Sequence, residues 1–589
     1  MKRSMMCGEV RADHVGQDVV LQGWVHTVRD HGGLIFIDLR DRAGLVQVIV
    51  DPASAPDAHR VASTLRDEFV VEVHGQVGRR PPGSENPRIA SGEVEVHARQ
   101  LSVLNPSLPL PFPVAEDTDV DERLRLQYRY IDLRRPRMAR NLELRHKVNK
   151  YIRDFMSAEG FLEIETPILA NPTPEGARDY LVPSRLHSGC FYALPQSPQQ
   201  LKQLCMIAGI DRYFQIARCF RDEDLRANRA AEFTQLDLEM SFVEQEDVLR
   251  VCEALFTGLT ESVSNKKVLS KPWPRITWQE AMDRYGSDKP DLRFELPIVD
   301  VSEIVASSSF SVFSGAVASG GVVRGLRAPG AASFSRRQID ELTEVSKAQG
   351  ARGLAWAALG PDVRSSFAKF LSESEQDALW QRMEAGEGDL VLLVADRLEV
   401  ARAAVGVLRK EVAQRLDLIP KDVMAWAFIV EFPWFEPDAE GRLTFVHHPF
   451  TMPFDDDLRL LDSDPLSVRA KAYDMVANGE EFASGSIRVH RADIQSRLFE
   501  LLGYSPERIE SNFGHMLRAF QFGAPPHGGI APGLDRVVSV LADEDSIRDV
   551  IAFPKNQSVQ DLMMGAPTVV QPEQLRDLHI RLEEPEPVS

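Results

Sequence analysis

The most densely charged segment of the sequence lies between two apolar, strand-like flanks. It reads FRDEDLRANRAAEFTQLDLEMSF, from Phe220 to Phe242. Its loop carries six charged side chains, namely Arg221, Asp222, Glu223, Asp224, Arg226 and Arg229. So many charges between apolar segments need a charged ligand or one another as partners. Because the arginine fork matches phosphate and carboxylate groups, the segment indicates a site for an anionic substrate.

The usual nucleotide-binding fingerprints are missing. The chain contains neither a GxxxxGK sequence nor a GxGxxG that follows a strand. A bound nucleotide would therefore be held by separated segments in which Arg, acidic and Gly residues recur. One of these segments is GAPPHGGIAPGLDR, from Gly523 to Arg536.

Two other groups of polar residues could take part in chemistry. Asp474 and Glu481 could hold Mg²⁺ together with phosphate oxygens, although such a pair taken alone is more often the solvated edge of a helix. His447 and His448 could contact a substrate, but without further context they fit a structural or surface pair. No HxxE or HExxH pattern accompanies them, so the sequence does not predict a zinc site.

Length and composition describe a multidomain protein of ordinary globular type. With 589 residues the chain has room for three or four domains of roughly 150 residues each. The N-terminus lacks the apolar stretch of a secretory signal, and no apolar run approaches the ~20 residues that span a bilayer, so we expect a cytoplasmic protein without membrane contact. The five cysteines are scattered without CxxC spacing and are expected to be thiols.

The formal net charge of −20 argues against nonspecific binding of nucleic acid, because phosphate attraction depends on Lys and Arg. One stretch departs from this average, the basic segment from Arg123 to Arg153. It could be a solvated helix face and hinge, or a surface that faces tRNA. Within it and just beyond, five residues lie at helical spacing and predict a helix that packs one face, namely Leu144, Val148, Tyr151, Ile152 and Phe155.

The first ~105 residues contain five short β-type runs separated by turns. They are VVLQGWV from Val19, LIFIDL from Leu34, LVQVIV from Leu45, FVVEVHGQV from Phe69 and EVEVHA from Glu93. This pattern predicts a small closed barrel of the OB type, a fold that commonly binds oligonucleotides. A Pro-rich linker follows, from Asn105 to Val114, and a mixed α/β segment without catalytic-looking residues begins near DKPDLRFELP.

The motifs together resemble the bacterial type of aspartyl-tRNA synthetase, a class II synthetase. The charged loop resembles motif 2, GFLEIETPILANPTPEGARDY resembles motif 1 with its substrate loop, and the segment ending at Arg536 resembles motif 3. ALPQSPQQLKQ, FVHHPFT, SGSIRVH and VIAFPKN agree in the same order. The resemblance covers nearly the whole chain and implies an antiparallel catalytic sheet with flanking helices, in a homodimer with Pro167 at the interface.

The fold class expected is therefore α+β and multidomain, with an N-terminal OB-fold β-barrel, a class II catalytic sheet and an inserted α/β domain. The predicted boundaries are 1–107 for the anticodon-binding barrel, 108–140 for the linker, 141–287 and 422–555 for the two parts of the catalytic domain, 288–421 for the insertion, and 556–589 for a C-terminal extension.

The resemblance assigns the ATP site residue by residue. It implies that Arg221 clamps the α-phosphate and the substrate carboxylate, that Arg536 binds the far phosphate, and that Phe233 lies under adenine. The full predicted ATP set is Arg221, Asp222, Glu223, Phe233, Glu481, Gly533, Leu534, Asp535 and Arg536, with Asp474 and Glu481 holding Mg²⁺ and Arg221 and Arg536 as catalytic residues. Ala230 stands where the family often has a glutamine assigned to ATP, so that role is not carried over.

Amino-acid selection must rest on charge, because aspartate and asparagine have nearly the same shape. Arg488 and Lys202 match the family residues that bind the aspartate side chain. The full predicted aspartate set is Glu175, Gln199, Gln200, Leu201, Lys202, Arg221, Asp237, His447 and Arg488.

In the barrel, the predicted anticodon contacts are Arg29, His31, Phe36, Gln47, Gly83 and Glu93. An exposed Phe36 would stack on a base, whereas the plainer interpretation is a core phenylalanine. His26, Thr27 and Val28 stand where the family usually has arginines, so those roles are not assigned. In the family, histidine at position 31 tends to accompany enzymes that charge both tRNA-Asp and tRNA-Asn.

The sequence therefore predicts ATP-dependent formation of aspartyl-adenylate and its transfer to the 3′ end of tRNA-Asp and also tRNA-Asn. An amidotransferase would then convert the aspartate on tRNA-Asn to asparagine. An enzyme strict for tRNA-Asp, a sister synthetase for asparagine or lysine, and an inactive tRNA-binding paralogue are the alternatives.

Overall fold

A computed structural model describes residues 3–114, 118–172, 176–223 and 228–583. The chain forms two compact units, Met1–Ala139 and Arg140–Ser589.

The first unit is built on a closed five-stranded barrel in the order β1-β2-β3-β5-β4. Its elements are β1 (Asp18–His31), β2 (Leu34–Asp41), β3 (Gly44–Val50), α1 (Pro56–Ala62), β4 (Val70–Arg79) and β5 (Val94–Asn105), with short 3₁₀ helices at Cys7–Glu9 and Ala12–His14. Buried and accessible residues alternate along β2 and β3 because successive side chains point to opposite faces of a strand. The buried set is aliphatic and fills the barrel. The predicted OB-type barrel is confirmed.

The basic segment begins in this unit with α2 (Glu122–Gln127), α3 (Arg129–Asp132) and the start of α4 (Pro136–Ala158). Three of its arginines converge on the buried Asp132 carboxylate, with N–O distances of 3.1 Å from Arg125, 2.6 Å from Arg129 and 3.4 Å from Arg135. These three positive charges are therefore partly neutralised by an internal carboxylate. Neither predicted alternative, a solvated helix face or a surface that faces tRNA, included this pairing.

The second unit opens with α4, whose Val148 and Ile152 are buried in the core as the helical spacing predicted. The elements that follow are β6 (Leu162–Glu163), β7 (Leu181–Pro183), β8 (Phe191–Ala193), α5 (Gln199–Ile207), β9 (Arg212–Phe220), β10 (Glu232–Ser241), α6 (Gln245–Val263), β11 (Lys267–Val268), β12 (Arg275–Thr277) and α7 (Trp278–Tyr285). β9 and β10 form the hairpin that carries the charged loop.

A separate five-stranded sheet, in the order β13-β14-β17-β15-β16, interrupts the larger one. Its elements are β13 (Val299–Asp300), α8 (Ser302–Val305), α9 (Ser311–Ala318), β14 (Val322–Ala328), α10 (Arg336–Lys347), β15 (Ala355–Ala358), β16 (Arg364–Ser365), α11 (Glu373–Met383), β17 (Leu390–Asp396) and α12 (Leu398–Arg415), with 3₁₀ turns at Ala331–Ser333 and Ala368–Phe370. Both faces of this sheet have a buried apolar cluster. The insertion thus has its own core.

The chain then returns to the large sheet. The remaining elements are β18 (Val423–Met424), β19 (Trp426–Pro433), β20 (Phe435–Pro437), β21 (Leu443–Phe445), β22 (Arg469–Ala477), β23 (Glu480–Ile487), α13 (Ala492–Leu501), α14 (Pro506–Phe520), β24 (His527–Ile530), α15 (Leu534–Leu541) and α16 (Pro572–Asp577), with 3₁₀ turns at Asp455–Leu461, Pro465–Ser467 and Ile547–Asp549.

The large sheet has eight strands in the order β12-β19-β22-β23-β24-β10-β9-β6. Every pairing from β19 to β9 is antiparallel, whereas the two edge strands β12 and β6 pair in parallel. The predicted antiparallel sheet is confirmed for its centre and needs this correction at its edges. Helices α4, α6 and α15 bury one face, so the site must lie on the other.

Each helix within the described ranges is too short or too polar to traverse a lipid bilayer.

Candidate active site

A cavity of about 350 Å³ lies over the centre of the large sheet. Side chains from remote parts of the sequence line it, among them Gln199, Arg221, Glu223, Phe233, His447, Glu481, Arg488 and Arg536. The two arginines of motifs 2 and 3 thus face one space although 315 positions separate them in numbering (536 − 221). This convergence was the main requirement of the sequence-based prediction.

Arg221 follows the last residue of β9 and is fixed by its backbone N–H, which donates to the Ala231 carbonyl at 2.9 Å. Its guanidinium lies 5.0 Å from the centre of the Phe233 ring, a cation–π contact. Its Nε is buried and has no hydrogen-bond partner among the described residues. A buried donor of this kind is costly unless a ligand accepts from it, so Arg221 is available to an anion.

Arg536 lies in the first turn of α15 and reaches across to β23. Its Nη1 donates to the Glu481 carbonyl, and its Nη2 lies 3.4 Å from the Asn228 carbonyl. Its Nε also lacks a partner in the described part of the chain. The first turn of a helix adds unpaired backbone N–H groups, so this corner of the cavity favours negative charge.

The other residues predicted for ATP divide into two groups. Glu223 and Gly533 line the cavity, and Glu223 lies 3.6 Å from Arg229. Leu534 is fully buried in the core, so only its backbone could serve a nucleotide. Asp222 pairs with Arg178 at 3.4 Å and lies outside the lining as described.

Asp535 lines the cavity but is held by the protein. One carboxylate oxygen accepts from Arg145 at 2.5 Å, and the other accepts from the Thr234 backbone N–H at 2.8 Å. Both contacts tie the start of α15 to neighbouring elements. These contacts hold the start of α15, on which Arg536 lies.

The predicted aspartate-binding cations sit in a buried network of four charges. The Lys202 Nζ lies 2.9 Å from Asp237 Oδ1 and 3.6 Å from Glu239 Oε2. Arg488 donates to both oxygens of Glu239, at 2.9 and 3.2 Å. Two cations and two carboxylates balance, and of the four only Arg488 contributes to the cavity wall within the described residues.

Electrostatics favour the ionised forms of Glu239 and Arg488 in this network. Burial raises the pKa of Glu239, but Arg488 and then Lys202 outweigh burial and leave it below its ordinary value. The Asp237 Oδ2 atom is buried without a partner among the described residues, as are both amide atoms of Gln200. The two oxygens among these atoms are unpaired acceptors, which suit an ammonium group.

Predicted aspartate ligands other than these are placed as follows. Gln199 lines the cavity and donates to Gln203 at 3.2 Å, while Leu201 is half-buried and outside the described lining. Glu175 lies outside the described residues, as do Asp224 and Arg226 of the charged loop.

His447 joins the cavity to the acid pair. Its Nε2 lies 3.1 Å from Asp474 Oδ1, and its ring packs edge-on against Phe432 with centroids 4.2 Å apart. Burial lowers the pKa of His447, but the Asp474 carboxylate outweighs burial and raises it overall. In contrast, burial together with Arg488 lowers the pKa of His448 to about 3, so this neighbour is neutral.

Asp474 and Glu481 lie on the adjacent strands β22 and β23. Glu481 is paired with Lys289 at 2.9 Å, and Asp474 with His447. No cluster of three or more acidic, His or Cys ligands occurs in the described ranges. Two carboxylates nevertheless fit Mg²⁺, which usually takes one or two protein carboxylates and completes its shell with phosphate and water.

Comparison with known proteins decides the family. The family described as tRNA synthetases class II (D, K and N) matches residues 121–557, and the OB-fold nucleic acid binding domain matches residues 19–104. The chain belongs to the class II tRNA synthetases. The resemblance drawn from its motifs is confirmed.

Relatives match this synthetase along nearly its full length. It is 55% identical to a protein of Moorella thermoacetica, with 99% of this chain and 97% of the relative covered. It is 54% identical to one of Rubrobacter xylanophilus, over 98% and 97% of the two chains, and 53% identical to one of Symbiobacterium thermophilum, over 99% and 100%. All three relatives are named aspartate–tRNA(Asp/Asn) ligase.

Solved structures agree with the fold. Asparaginyl-tRNA synthetase from Pyrococcus horikoshii, complexed with asparaginyl-adenylate, superposes with a TM-score of 0.60 at 19% identity, covering 94% of this chain and 98% of that one. Aspartyl tRNA synthetase from Entamoeba histolytica gives 0.57 at 17% identity, over 93% and 91%. At such identities the likeness supports the fold alone.

The barrel of the synthetase presents the predicted anticodon residues on its outer surface. Phe36 is half-buried and pairs with Arg29 across β1 and β2, so it is no core residue. Gln47 donates to Glu95 at 3.2 Å. His31 packs edge-on against Phe36, with ring centroids 5.7 Å apart.

Two further predicted anticodon residues stand at the ends of the last two strands. Gly83 occupies the β4–β5 loop with φ +86°, a conformation that favours glycine. Glu93 is exposed immediately before β5.

Sequence reasoning missed two residues of the catalytic region. Glu239 holds both predicted aspartate-binding cations, and its spacing of two from Asp237 on a strand was the signal that could have found it. Lys289 reaches Glu481 from the start of the insertion, and no pattern in the sequence joins these two positions.

Proposed function

We propose that the synthetase is an aspartate–tRNA ligase that charges tRNA-Asp and tRNA-Asn. The observation that carries the proposal is the buried network of Arg488, Lys202, Asp237 and Glu239 beside the cavity that contains Arg221 and Arg536. A guanidinium at the cavity wall favours a carboxylate over an amide, since its N–H groups donate stronger hydrogen bonds to an ionised acceptor than to a neutral one.

In the first reaction step, a carboxylate oxygen of aspartate attacks the α-phosphorus of ATP, and pyrophosphate leaves. Arg221 is placed to bind the α-phosphate and the attacking carboxylate together, while Arg536 binds the leaving end. Catalysis of this kind consists of positioning and charge stabilisation, so it needs no general base in the cavity. Phe233 and Arg221, already in contact, offer a flat surface for adenine.

The substrate amino group would be met by Asp237, whose second oxygen is unpaired, and by Gln199 at the wall. The side-chain carboxylate would be met by Arg488, with Lys202 behind it. His447 would close the site beside the acid pair. Mg²⁺ would be held by Asp474 and Glu481 and would supply charge neutralisation of the phosphates.

In the second step, the 3′-hydroxyl of the terminal adenosine of tRNA attacks the acyl carbon, and AMP leaves. The outer face of the barrel supports anticodon binding, with Phe36 available for base stacking and Gln47 and Glu93 for hydrogen bonds. We place the enzyme in the cytoplasm because its substrates, tRNA and ATP, are used there.

Broad tRNA specificity is supported by His31 and Gly83 and by the names of the relatives. Aspartate placed on tRNA-Asn then requires an amidotransferase before protein synthesis. The alternative, an enzyme strict for tRNA-Asp, would differ only in how it reads the third anticodon base. The alternative of an inactive paralogue is disfavoured by the presence of Arg221, Glu481 and Arg536 around one cavity.

We also propose a homodimer formed around the edge strand β6. Exposed apolar side chains gather along this edge, with Leu162 57% exposed, Leu169 53% and Phe191 44%. Ala170 pairs with Ala193, which joins the segment after β6 to β8. Exposed apolar patches at a sheet edge are typical of subunit interfaces.

Amino-acid-dependent exchange of pyrophosphate into ATP tests the activity directly. We expect exchange with aspartate and less than about 1% of that rate with asparagine or lysine, a discrimination of the size a buried charge gives. Exchange driven by asparagine or lysine would assign the enzyme to a sister specificity. The absence of exchange with every amino acid would favour the paralogue.

A further inference from the structure

The segment that connects α7 to the inserted domain reaches the ATP end of the cavity. It runs through residues 286–296, and in its first turn the Lys289 Nζ lies 2.9 Å from Glu481 Oε2. Glu481 lines the cavity and its carbonyl accepts from Arg536. The insertion therefore contributes a charged side chain to the surroundings of the nucleotide site.

Lys289 stands among carboxylates. Asp288 precedes it in the chain, Glu481 is its direct partner, and Asp474 is close enough to add to the same field. His447, on the far side, pairs with Asp474. Three carboxylates near a binding site for a triphosphate would repel it, so a fixed cation here lowers that repulsion.

The position of Lys289 is held by α12, a helix of the insertion. Gly286 has φ +67°, and a Cβ at this position would lie 2.3 Å from the Arg402 carbonyl oxygen, so the chain passes this close to α12 only as glycine. On the other side of Lys289, Arg409 of α12 donates to the carbonyls of Asp291 at 2.8 Å and Phe294 at 2.9 Å.

Arg409 is itself almost fully buried and is packed against aromatic rings. Its guanidinium lies 4.2 Å from the centre of the Phe294 ring and 4.9 Å from that of Tyr285. A planar fork with so many fixed partners leaves the segment little freedom. The path from α12 to Glu481 is thus a continuous set of contacts within one compact unit.

We propose that Lys289 is a positioning residue that orients the Glu481 carboxylate in the cavity for ATP binding. The inserted domain holds Lys289 in place through Arg409. This inference rests on the proposed function and gives the insertion a role in the first reaction step. Lys289 acts on ATP through Glu481, so its loss weakens ATP binding and leaves the aspartate site unchanged.

The test compares Lys289→Ala and Lys289→Arg with the wild type, in aspartate-dependent exchange and in calorimetric titration with ATP and MgCl₂. We expect Lys289→Ala to raise the KM and the Kd for ATP by about 10-fold, with the KM for aspartate changed less than about 2-fold. Lys289→Arg should stay within about 3-fold of the wild type because it keeps the charge. Lys347→Ala, a paired surface lysine of the insertion, is the matched control.

An unchanged affinity for ATP in Lys289→Ala, or an equal rise in the KM for aspartate, would overturn the inference. If the wild type itself shows no exchange with aspartate, the proposed function has failed instead. Arg409→Gln completes a double-mutant cycle. As a single substitution it should raise the KM for ATP, and in the Lys289→Ala background it should cause no further rise in that KM. Additive effects would show that Arg409 and the insertion do not act through Lys289.

Discussion

Arg488 is the residue on which amino-acid selection depends. It lines the cavity and also pairs with the buried Glu239, so replacing it both removes the substrate partner and takes away one of the two cations that face Glu239. We predict that Arg488→Lys lowers kcat/KM for aspartate by about 100-fold, because a lysine cannot contact Glu239 at two points and still face the cavity. Steady-state exchange at varied aspartate measures this change.

The KM for ATP should stay within about 3-fold of the wild type in Arg488→Lys, since the phosphate arginines are separate. Arg442→Gln, which alters an exposed arginine paired with Asp438, serves as the control. A variant with normal use of aspartate would show that Arg488 has a structural role only.

At the scale of elements, a charge network fastens the insertion to α7. Asp283 on α7 accepts from Arg402 at 2.6 Å and from Arg324 at 2.7 Å, and both donors belong to the insertion. Burial alone would raise the pKa of the Asp283 carboxyl. The hydrogen bond from Arg402, reinforced by Gln279 and Arg324, outweighs burial and lowers the pKa to about 2.

The lowered pKa of the Asp283 carboxyl stabilises the fold at pH values above the unfolded-state pKa, which is near 3.8. This stabilisation is lost as the pH falls toward 2. We predict that Asp283→Asn is less stable than the wild type at pH 7 by roughly 1 kcal/mol, the scale of a partly exposed charge network. The difference should shrink between about pH 4 and about pH 2. Urea unfolding followed by tryptophan fluorescence measures it, and a pH-independent difference would contradict the assigned cause.

Regular elements could be predicted from sequence because their signals are local. Alternation along β2 and β3 and the stripe of Val148 and Ile152 on α4 depend only on neighbours in the chain. The family motifs predicted that Arg221 and Arg536 share a cavity. The pairing of Lys289 with Glu481 depends on how the insertion docks, which no local pattern encodes.

Two further features of the fold also escaped prediction for physical reasons. The edge strands β12 and β6 are very short, so their parallel pairing leaves hardly any periodicity to detect. The basic segment has the composition of a tRNA-binding surface, but three of its arginines converge on Asp132. Composition counts charges, whereas only the fold decides which charges are internally paired.

For the whole molecule, the proposed dimer makes a prediction about mass. Leu169→Asp places a charge in the apolar patch at the edge strand and should shift the protein from dimer to monomer in sedimentation velocity. Val363→Asp, at a similarly exposed position of the insertion, should remain dimeric. A wild type that sediments as a monomer, or a dimeric Leu169→Asp, would rule out this interface.

The joint action of barrel and catalytic sheet is tested most directly by aspartylation of tRNA-Asp and tRNA-Asn transcripts side by side, with the wild type and with His31→Leu. We predict that the wild type charges both transcripts with kcat/KM values within about 10-fold of each other. His31→Leu should lose charging of tRNA-Asn selectively, because the loss of one base contact costs about 1 to 3 kcal/mol. Failure of the wild type to place aspartate on either transcript would contradict the proposed activity, and charging of tRNA-Asp alone would contradict its breadth.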